Sequence, residues 1–181
     1  MRATLGGRKI VGFDMEWKAV FRRHGRSGQD KVALMQICYV DKEEQERVLL
    51  IMTYRLKSLP DQLEAFLLDQ SITCVGANVT GDFRKIGRDF SIEEKIMTRL
   101  STNVINLGKY ARERDVVQNG SIGLDKLCKI VLGVNIDKSS SVRFSDWTVK
   151  ELKENQKKYA EIDAIVSRRL FIELEKKPDL T

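Results

Sequence analysis

Two carboxylates lie two residues apart within an apolar, strand-forming stretch at residues 10–17. Side chains alternate between faces along a strand, so Asp14 and Glu16 should point the same way, with Cβ atoms roughly 6–7 Å apart. The opposite face is apolar and comprises Val11, Phe13, Met15 and Trp17. Burying two acids among hydrophobic neighbours is unfavourable unless a cation compensates, and a hard divalent ion suits carboxylate ligands. The structural alternative is an edge strand whose two acids are solvated.

Further acidic residues interrupt apolar helical faces elsewhere in the chain. Asp163 falls within the inward stripe of a predicted helix, four residues after Tyr159, so the two side chains share a helix face. Asp82 lies beside apolar neighbours at the start of another predicted helix, for which Asn78 is the predicted N-cap. Each acid has a structural alternative: a Tyr–Asp hydrogen bond that packs the helix, or a carboxylate stabilised by the helix dipole.

Taken together, these positions predict a metal site. Four semi-buried carboxylates without a counter-ion would repel each other or stay protonated, and two divalent cations remove that problem. Two metals about 3.5–4 Å apart are also a recurring apparatus for phosphodiester cleavage. Zinc is disfavoured because the chain has one histidine and no closely spaced cysteines. That histidine, His24, lies in an arginine-rich segment, which argues against histidine-based acid–base catalysis.

Composition narrows the class of protein. The chain has 181 residues, 42% hydrophobic and 32% charged, which fits a single globular domain over residues 1–181. Its start close to the first strand is compatible with a domain excised from a longer protein. The formal net charge of +6 suits a polyanionic partner such as nucleic acid. Three scattered cysteines, no signal-peptide pattern and no apolar run of the ~18 residues that a membrane span needs predict an intracellular, reducing location, with the nucleus among the candidates.

Hydrophobic patterning predicts strands first, then alternating strands and helices. The predicted strands are residues 10–17, 31–40, 48–53, 72–77 and 103–107, the first three as an antiparallel meander. The predicted helices are residues 58–70, 82–90, 121–132 and 148–176, with Ser121 capping the third and a Thr-x-x-Glu capping box opening the last. Residues 18–30 are expected to form a Gly- and Arg-rich connection, and residues 135–147 are expected to be irregular. This order predicts an α/β fold in which helices flank a mixed sheet.

Three ordered motifs resemble those of the DEDD 3′–5′ exonucleases. They are Asp-x-Glu in the first strand, Asn-x-x-x-Asp at a helix start and Tyr-x-x-x-Asp in the last helix. The tyrosine four residues before the final aspartate is typical of the DEDDy branch. Residues 13–17, 31–38, 81–82, 145–147 and 159–164 are most similar to the group that contains the exonuclease domain of the Werner syndrome helicase. Two positions depart from that group: Glu161 replaces a common alanine, and Arg84 replaces an aromatic residue.

The resemblance implies a ribonuclease H-like fold and a two-metal nuclease. Its ligands for two Mg²⁺ or Mn²⁺ ions correspond to Asp14, Glu16, Asp82 and Asp163, and the residue that helps position the attacking water corresponds to Tyr159. The implied reaction is hydrolysis of the 3′-terminal phosphodiester of DNA or RNA, which releases nucleoside monophosphates. The implied partner is therefore a nucleic acid with a free 3′ end, and not a membrane.

Candidate nucleic-acid contacts are basic and aromatic residues near these motifs. They are Trp17, Arg84, Lys85, Arg88 and Arg143, together with Arg22, Arg23 and Arg26 in the first connection. Phosphate contacts by the cations would make binding fall steeply with salt, and a tryptophan can stack on a terminal base. The structural alternatives are a solvated basic surface for the cations and core packing for Trp17 and Trp147, with packing favoured for Trp147.

Three other functions stay open at this point. One is RNA trimming in the manner of RNase D, because the motifs do not separate DNA from RNA. Another is a catalytically silent nucleic-acid-binding or scaffold module, which the presence of all four acids disfavours. The third is an endonuclease on the same fold, which the pairing of Tyr159 with Asp163 argues against.

Overall fold

The computed structural model describes residues 4–5, 8–21, 27–137 and 139–180. Its strands are β1 (Thr4–Leu5), β2 (Arg8–Phe21), β3 (Ser27–Val40), β4 (Glu46–Met52), β5 (Ile72–Gly76) and β6 (Val104–Asn106). Its helices are α1 (Asp61–Leu68), α2 (Val79–Phe90), α3 (Glu93–Leu100), α4 (Leu107–Glu113), α5 (Leu124–Leu132), α6 (Ser140–Arg143) and α7 (Glu154–Leu174). No helix in this described part combines the length and apolar character that a bilayer span requires.

One mixed sheet connects these elements in the order β4-β3-β2-β5-β6, with β1 paired to β2. β2, β3 and β4 form the predicted antiparallel meander, and β5 and β6 run parallel to β2 on its other side. Because Gly12 pairs with Val75, β2 continues past the end of β5. Asp14 and Glu16 therefore lie level with the turn that leads from β5 into α2.

The two faces of β2 enter different cores. Its odd-numbered apolar residues pack with α1, α2 and α3, and the rings of Phe13 and Phe83 lie 5.2 Å apart there. Ile10, on the other face, packs with residues of α5 and α7 that include Leu170 and Phe171. This alternation is the one predicted for residues 10–17. It leaves the even-numbered face, which carries the two acids, turned toward α7.

The last helix, α7, lies across this second face. It packs against β2 at Gly12, where any side chain would collide with the backbone carbonyl of Ala164. Farther along α7, Arg168 and Arg169 form ion pairs with Glu46 of β4, at 3.1 and 2.7 Å. These contacts fix the position of α7 along the sheet. A small core cluster lies beneath its first turns and consists of Ala33, Leu34, Trp147, Leu152, Tyr159 and Ala160.

Two predicted boundaries at the ends of long elements were wrong. β2 extends to Phe21 and β3 begins at Ser27, so most of the segment expected to be a connection belongs to the two paired strands. α7 begins at Glu154 instead of residue 148, because the side-chain oxygen of Gln156 accepts a hydrogen bond from the backbone N–H of Lys153 at 3.0 Å. The predicted Thr-x-x-Glu capping box therefore lies outside the helix.

Shorter helices also differ from expectation. α5 begins at Leu124 after Gly123, not at Ser121, and ends at Gly133 as predicted. Asn78 is the N-cap residue of α2, but its side chain makes no capping hydrogen bond. The side-chain oxygen of Asn106 accepts from the N–H of Thr80 instead, at 3.0 Å. The helices α3, α4 and α6 occupy stretches where no helix was predicted.

Candidate active site

Three carboxylates meet where α7 crosses β2. One carboxylate oxygen from each of Asp14, Glu16 and Asp163 lies within 4.8 Å of the others. The first two occupy neighbouring same-face positions on β2, and the third comes from α7 just before the close approach at Gly12. Asp163 is only 2% exposed, whereas Asp14 and Glu16 are half-buried. Asp14 also accepts a hydrogen bond from the backbone N–H of Met15 at 2.9 Å.

A fourth carboxylate adjoins this cluster. Asp82 lies in the first turn of α2 and is 5% exposed. Burial raises its pKa well above the ordinary value of 3.8, and the negative charge of Asp14 raises that pKa further. Asp82 of α2 and Asp14 of β2 are therefore close enough to repel each other.

Tyr159 faces the same site from one turn earlier on α7. Burial raises the pKa of its phenol, and the charges of Asp163, Glu16 and Asp14 raise it further, whereas Arg143 lowers it. The phenol therefore stays protonated at neutral pH, where it is a hydrogen-bonding group and not a base. Glu161, which lies between Tyr159 and Asp163 in the sequence, is exposed.

The donor set fits a hard divalent cation. Oxygen ligands lie about 2.0–2.6 Å from Mg²⁺ or Ca²⁺, so oxygens that share one ion are separated by no more than about 5 Å. The 4.8 Å limit within the carboxylate cluster meets that condition without any rearrangement. An all-oxygen set favours Mg²⁺, Mn²⁺ or Ca²⁺ over zinc. The raised pKa of Asp82 is consistent with the same view, because a positive ion would offset both its burial and the charge of Asp14.

Two of the predicted nucleic-acid contacts lie together beside the hairpin of β2 and β3. The ammonium of Lys85 is 5.5 Å from the ring centroid of Trp17. It also pairs with Asp89 at 2.9 Å and donates to the backbone carbonyl of Asp30 at 2.6 Å. Lys85 is 5% exposed, and Trp17 packs partly against the core of α1, α2 and α3. These contacts join α2 to the hairpin and so fix Asp82 relative to β2.

The other predicted contacts that the structure describes are exposed, and Arg84 and Arg88 lie apart from Arg143 in the sequence and on a different helix. Arg84 and Arg88 follow Asp82 by two and six residues, rotations of about 200° and 240° around α2, so they leave the helix on a different side. Both line a recess next to α3. Arg143 ends α6, close enough to Tyr159 to lower its pKa. Arg22, Arg23 and Arg26 lie outside the described residues.

A cation-lined cavity beside α2 was missed from the sequence. Its volume is about 550 Å³, and its lining includes Asn78, Asn106, Lys109, Arg112 and Ser121 but no carboxylate. Its Asn78 edge lies one helical turn before Asp82. The far wall is shaped by a glycine contact, since a Cβ on Gly108 would lie 2.3 Å from the carbonyl oxygen of Gly120. In the sequence, only the basic residues Lys109 and Arg112 indicated this cavity. They line it because α4 lies next to the loop before α5.

Comparison with known proteins agrees with this geometry. The sequence model of the 3′–5′ exonuclease family matches residues 2–179. The chain is 33% identical to "3′-5′ exonuclease" proteins of Drosophila erecta and Drosophila melanogaster, over 168 residues. The alignment covers 92% of this chain and 44% of each relative, so the chain spans less than half the length of those proteins.

Solved structures share the architecture. NrnC of Brucella melitensis has a TM-score of 0.65 at 22% identity, over 97% of this chain and 77% of that protein. RNase D of Escherichia coli has a TM-score of 0.61 at 21% identity, over 93% of this chain and 40% of the other. These likenesses confirm the predicted ribonuclease H-like fold. Together with the match over residues 2–179, the mixed sheet and its acidic cluster lead to one conclusion: the chain belongs to the 3′–5′ exonuclease family.

Proposed function

We propose that this protein is a divalent-metal-dependent 3′–5′ exonuclease that hydrolyses the terminal phosphodiester of a nucleic acid and releases nucleoside monophosphates. The observation that carries the proposal is the meeting of Asp14, Glu16 and Asp163 within 4.8 Å. Asp82 and the Tyr159 phenol adjoin the same point. Family membership supports the reaction class.

In this proposal the four carboxylates hold two Mg²⁺ or Mn²⁺ ions. Asp14, Glu16 and Asp163 form the closest set, and Asp82 completes the charge needed for a second ion. Bound ions of this kind lower the pKa of a coordinated water and neutralise charge on the phosphate. A structure of Brucella melitensis NrnC is described "with bound Mg2+", which makes Mg²⁺ the first ion to test.

Tyr159 is the proposed positioning group for the attacking water. Its raised pKa keeps the O–H in place at neutral pH, so the phenol orients a water by hydrogen bonding and does not remove its proton. α7 presents Tyr159 and Asp163 from successive turns, and the packing of the tyrosine against Trp147, with ring centroids 6.1 Å apart, holds the phenol in place. In this proposal, Tyr159 therefore positions the attacking water and the carboxylates bind the metal ions.

The proposed partner is DNA or RNA with a free 3′ end. The net charge of +6 and the cavity lined by Lys109 and Arg112 support a polyanionic substrate. A structure of Brucella melitensis NrnC is described as "bound to pGG", and Escherichia coli RNase D is described as an exoribonuclease. RNA trimming is therefore the second candidate, which the choice of substrate tests directly.

Finer assignments belong to the same proposal. The motifs at residues 145–147 and 159–164 support placement nearest the Werner-type exonuclease domains within the family. An intracellular, reducing location is supported by Cys38, Cys74 and Cys128, which are all free and buried. In the same proposal, residues 1–181 form a single exonuclease domain.

The decisive experiment incubates the purified chain with 5′-labelled substrates. Single-stranded DNA, 3′-recessed duplex DNA and single-stranded RNA are each tested with Mg²⁺, Mn²⁺ or excess chelator. We expect a ladder that shortens from the 3′ end, release of nucleoside monophosphates, and no reaction in chelator. The matched negative control is Asp14→Asn. Full activity in chelator, or cleavage of a circular single strand, would reject the proposal.

A further inference from the structure

Phe144 is the most exposed aromatic side chain that the structure describes, at 60%. Single exposed hydrophobic residues are common on protein surfaces, so exposure alone assigns no role. The surroundings of this ring are more informative. The Arg143 guanidinium carbon lies 5.4 Å from the ring centroid, and the next two residues along the chain are Ser145 and Asp146. The ring thus has polar neighbours on both sides along the chain, Arg143 before it and Ser145 after it.

Three contacts connect Phe144 to the candidate active site. The ring lies beside Arg143, whose backbone carbonyl accepts a hydrogen bond from the indole N–H of Trp147 at 3.1 Å. The indole lies against Tyr159, with ring centroids 6.1 Å apart. Arg143 is also close enough to the phenol of Tyr159 to affect it electrostatically. The segment that carries the exposed ring therefore adjoins Tyr159 of the candidate active site.

The segment that carries Phe144 is fixed from two directions. The side-chain amide of Gln156 on α7 donates to the Ser145 hydroxyl at 2.9 Å and to the Asp146 carbonyl at 3.0 Å. The Asp146 carboxylate pairs with Lys18 of β2 at 2.5 Å. The two elements that supply the carboxylate cluster thus also hold this segment. Because the chain directly after Phe144 is held in this way, little backbone freedom is lost when a ligand stacks on the ring.

We propose that Phe144 is a stacking platform for an unpaired base near the 3′ end of the substrate strand, with Arg143 contacting the adjacent phosphate. The proposal rests on the proposed function and narrows its substrate class. Bases stack on exposed aromatic rings regardless of sequence, and a neighbouring arginine adds cation–π and phosphate contacts. Stacking requires a base that has left its duplex, so single-stranded or frayed 3′ ends should be favoured over blunt duplexes.

Binding is tested separately from hydrolysis. Single-stranded DNA with 2-aminopurine at the last, second-last or third-last position is titrated with protein in Ca²⁺, using 3′ phosphorothioate linkages to prevent cleavage. We expect quenching at one of these positions in the wild type, its loss in Phe144→Ala, and its retention in Phe144→Trp. The apparent Kd should rise roughly 5- to 150-fold in Phe144→Ala, the range for losing one base–aromatic stack.

Kinetics in Mg²⁺ then test substrate choice. Phe144→Ala should raise KM for single-stranded DNA while kcat stays within about twofold, since stacking contributes binding and not chemistry. In the same variant, the ratio of kcat/KM for single-stranded DNA to kcat/KM for blunt duplex DNA should fall toward one. The matched control is Ile130→Ala, which removes a side chain that is 54% exposed on α5. This variant should change neither the KM for single-stranded DNA nor the preference for it over blunt DNA. Equal melting temperatures for the two variants and the wild type show that both fold.

The outcomes separate the two proposals. A wild type that hydrolyses DNA while Phe144→Ala matches it in quenching and KM overturns the platform alone. Equal losses of quenching and affinity in Phe144→Ala and Phe144→Trp also overturn the platform proposal. So does an equal rise in the KM of Phe144→Ala for single-stranded and blunt DNA. A wild type that binds and quenches without hydrolysing any substrate overturns the proposed function and leaves the platform standing. A wild type that does neither overturns both.

Discussion

A Cβ atom placed on Gly12 would lie 2.0 Å from the carbonyl oxygen of Ala164. No side chain fits at that distance, so α7 approaches β2 only because this position carries none. Ala164 immediately follows Asp163, and Gly12 precedes Asp14 by two residues. The close approach of two backbones is therefore what brings together carboxylates separated by almost the whole length of the chain.

Gly12→Ala should destabilise the protein by about 3 kcal/mol, the upper end of the usual cost of overpacking, because α7 must move outward. It should also lower kcat/KM roughly 100-fold at temperatures where the variant is folded, since a displacement of about 1 Å is enough for such a loss. The control is Gly133→Ala, which strains a φ of 68° by about 1 kcal/mol but meets nothing within 4 Å. Urea unfolding and steady-state rates give both quantities, and equal rates in the two variants would contradict the role of Gly12.

Mg²⁺ should stabilise the wild type, because the ion binds only the folded carboxylate cluster. At a concentration about 100 times its Kd, the expected gain is about 2.7 kcal/mol, visible as a raised melting temperature. Asp163→Asn should abolish that rise. Glu161→Gln, which alters an exposed carboxylate two residues away, should keep it. Matching Mg²⁺-induced shifts in the two variants would place the ion elsewhere.

Asp82→Asn should stabilise the metal-free protein at neutral pH. The pKa of Asp82 is raised by burial and by the charge of Asp14, so the folded state binds this proton more tightly than the unfolded state. The loss of stability caused by ionising Asp82 is absent below pH 3.8, the ordinary pKa of this carboxyl group. It develops as the pH rises from there through the raised pKa of the folded state. In chelator, the melting temperature of Asp82→Asn should therefore exceed that of the wild type by an amount that grows as the pH rises.

Asp69→Asn is the control of opposite sign for that titration. Hydrogen bonds from Ser71 lower the pKa of Asp69, so its ionised form stabilises the fold. The substitution should lower the melting temperature at neutral pH and have little effect in acid. A constant difference for Asp82→Asn across the same pH range would mean that Asp82 is not a raised-pKa group.

Tyr159→Phe should reduce kcat by about 100-fold, since it removes the hydroxyl proposed to orient the attacking water. The Mg²⁺-induced rise in melting temperature should remain, because the four carboxylates are intact. Tyr39→Phe, on β3, controls for the loss of a phenol and should leave kcat unchanged. A loss of the Mg²⁺ response in Tyr159→Phe would assign the phenol to metal binding instead.

Lys109→Ala combined with Arg112→Ala should weaken binding of single-stranded DNA and reduce the slope of log K against log salt by about 1 to 2. The cavity that these cations line contains no carboxylate to neutralise them. The control pair is Lys176→Ala with Lys177→Ala, about 20 Å farther along the direction of α7 than Asp163. An unchanged salt slope in the first pair would exclude the cavity from the path of the strand.

The carboxylate cluster was predictable because local periodicity defines it. Alternation in β2 puts Asp14 and Glu16 on one face, and the helical repeat in α7 puts Tyr159 and Asp163 on another. Each pattern needs only a few neighbouring residues. That the two faces meet follows from tertiary packing, which the repulsion among semi-buried acids without a counter-ion suggested and the resemblance to a known family supported.

The features that were missed depend on distant partners. Residues 27–30 are all polar or glycine, yet they form a strand because they pair with residues 18–21 across the hairpin. The true start of α7 is set by Gln156, which also bonds Ser145 and Asp146 in the preceding loop. The cavity around Lys109 exists only where α4, the loop before α5 and the start of α2 adjoin one another.

The delivery of Tyr159 and Asp163 by α7 has a consequence for folding. Asp163 lies 149 positions after Asp14, so the carboxylate cluster is a contact between segments far apart in sequence. Contacts of this kind form only after the entropy of closing a long loop has been overcome. We therefore expect the cluster to assemble only when α7 docks on β2, after the local hairpin of β2 and β3 has formed.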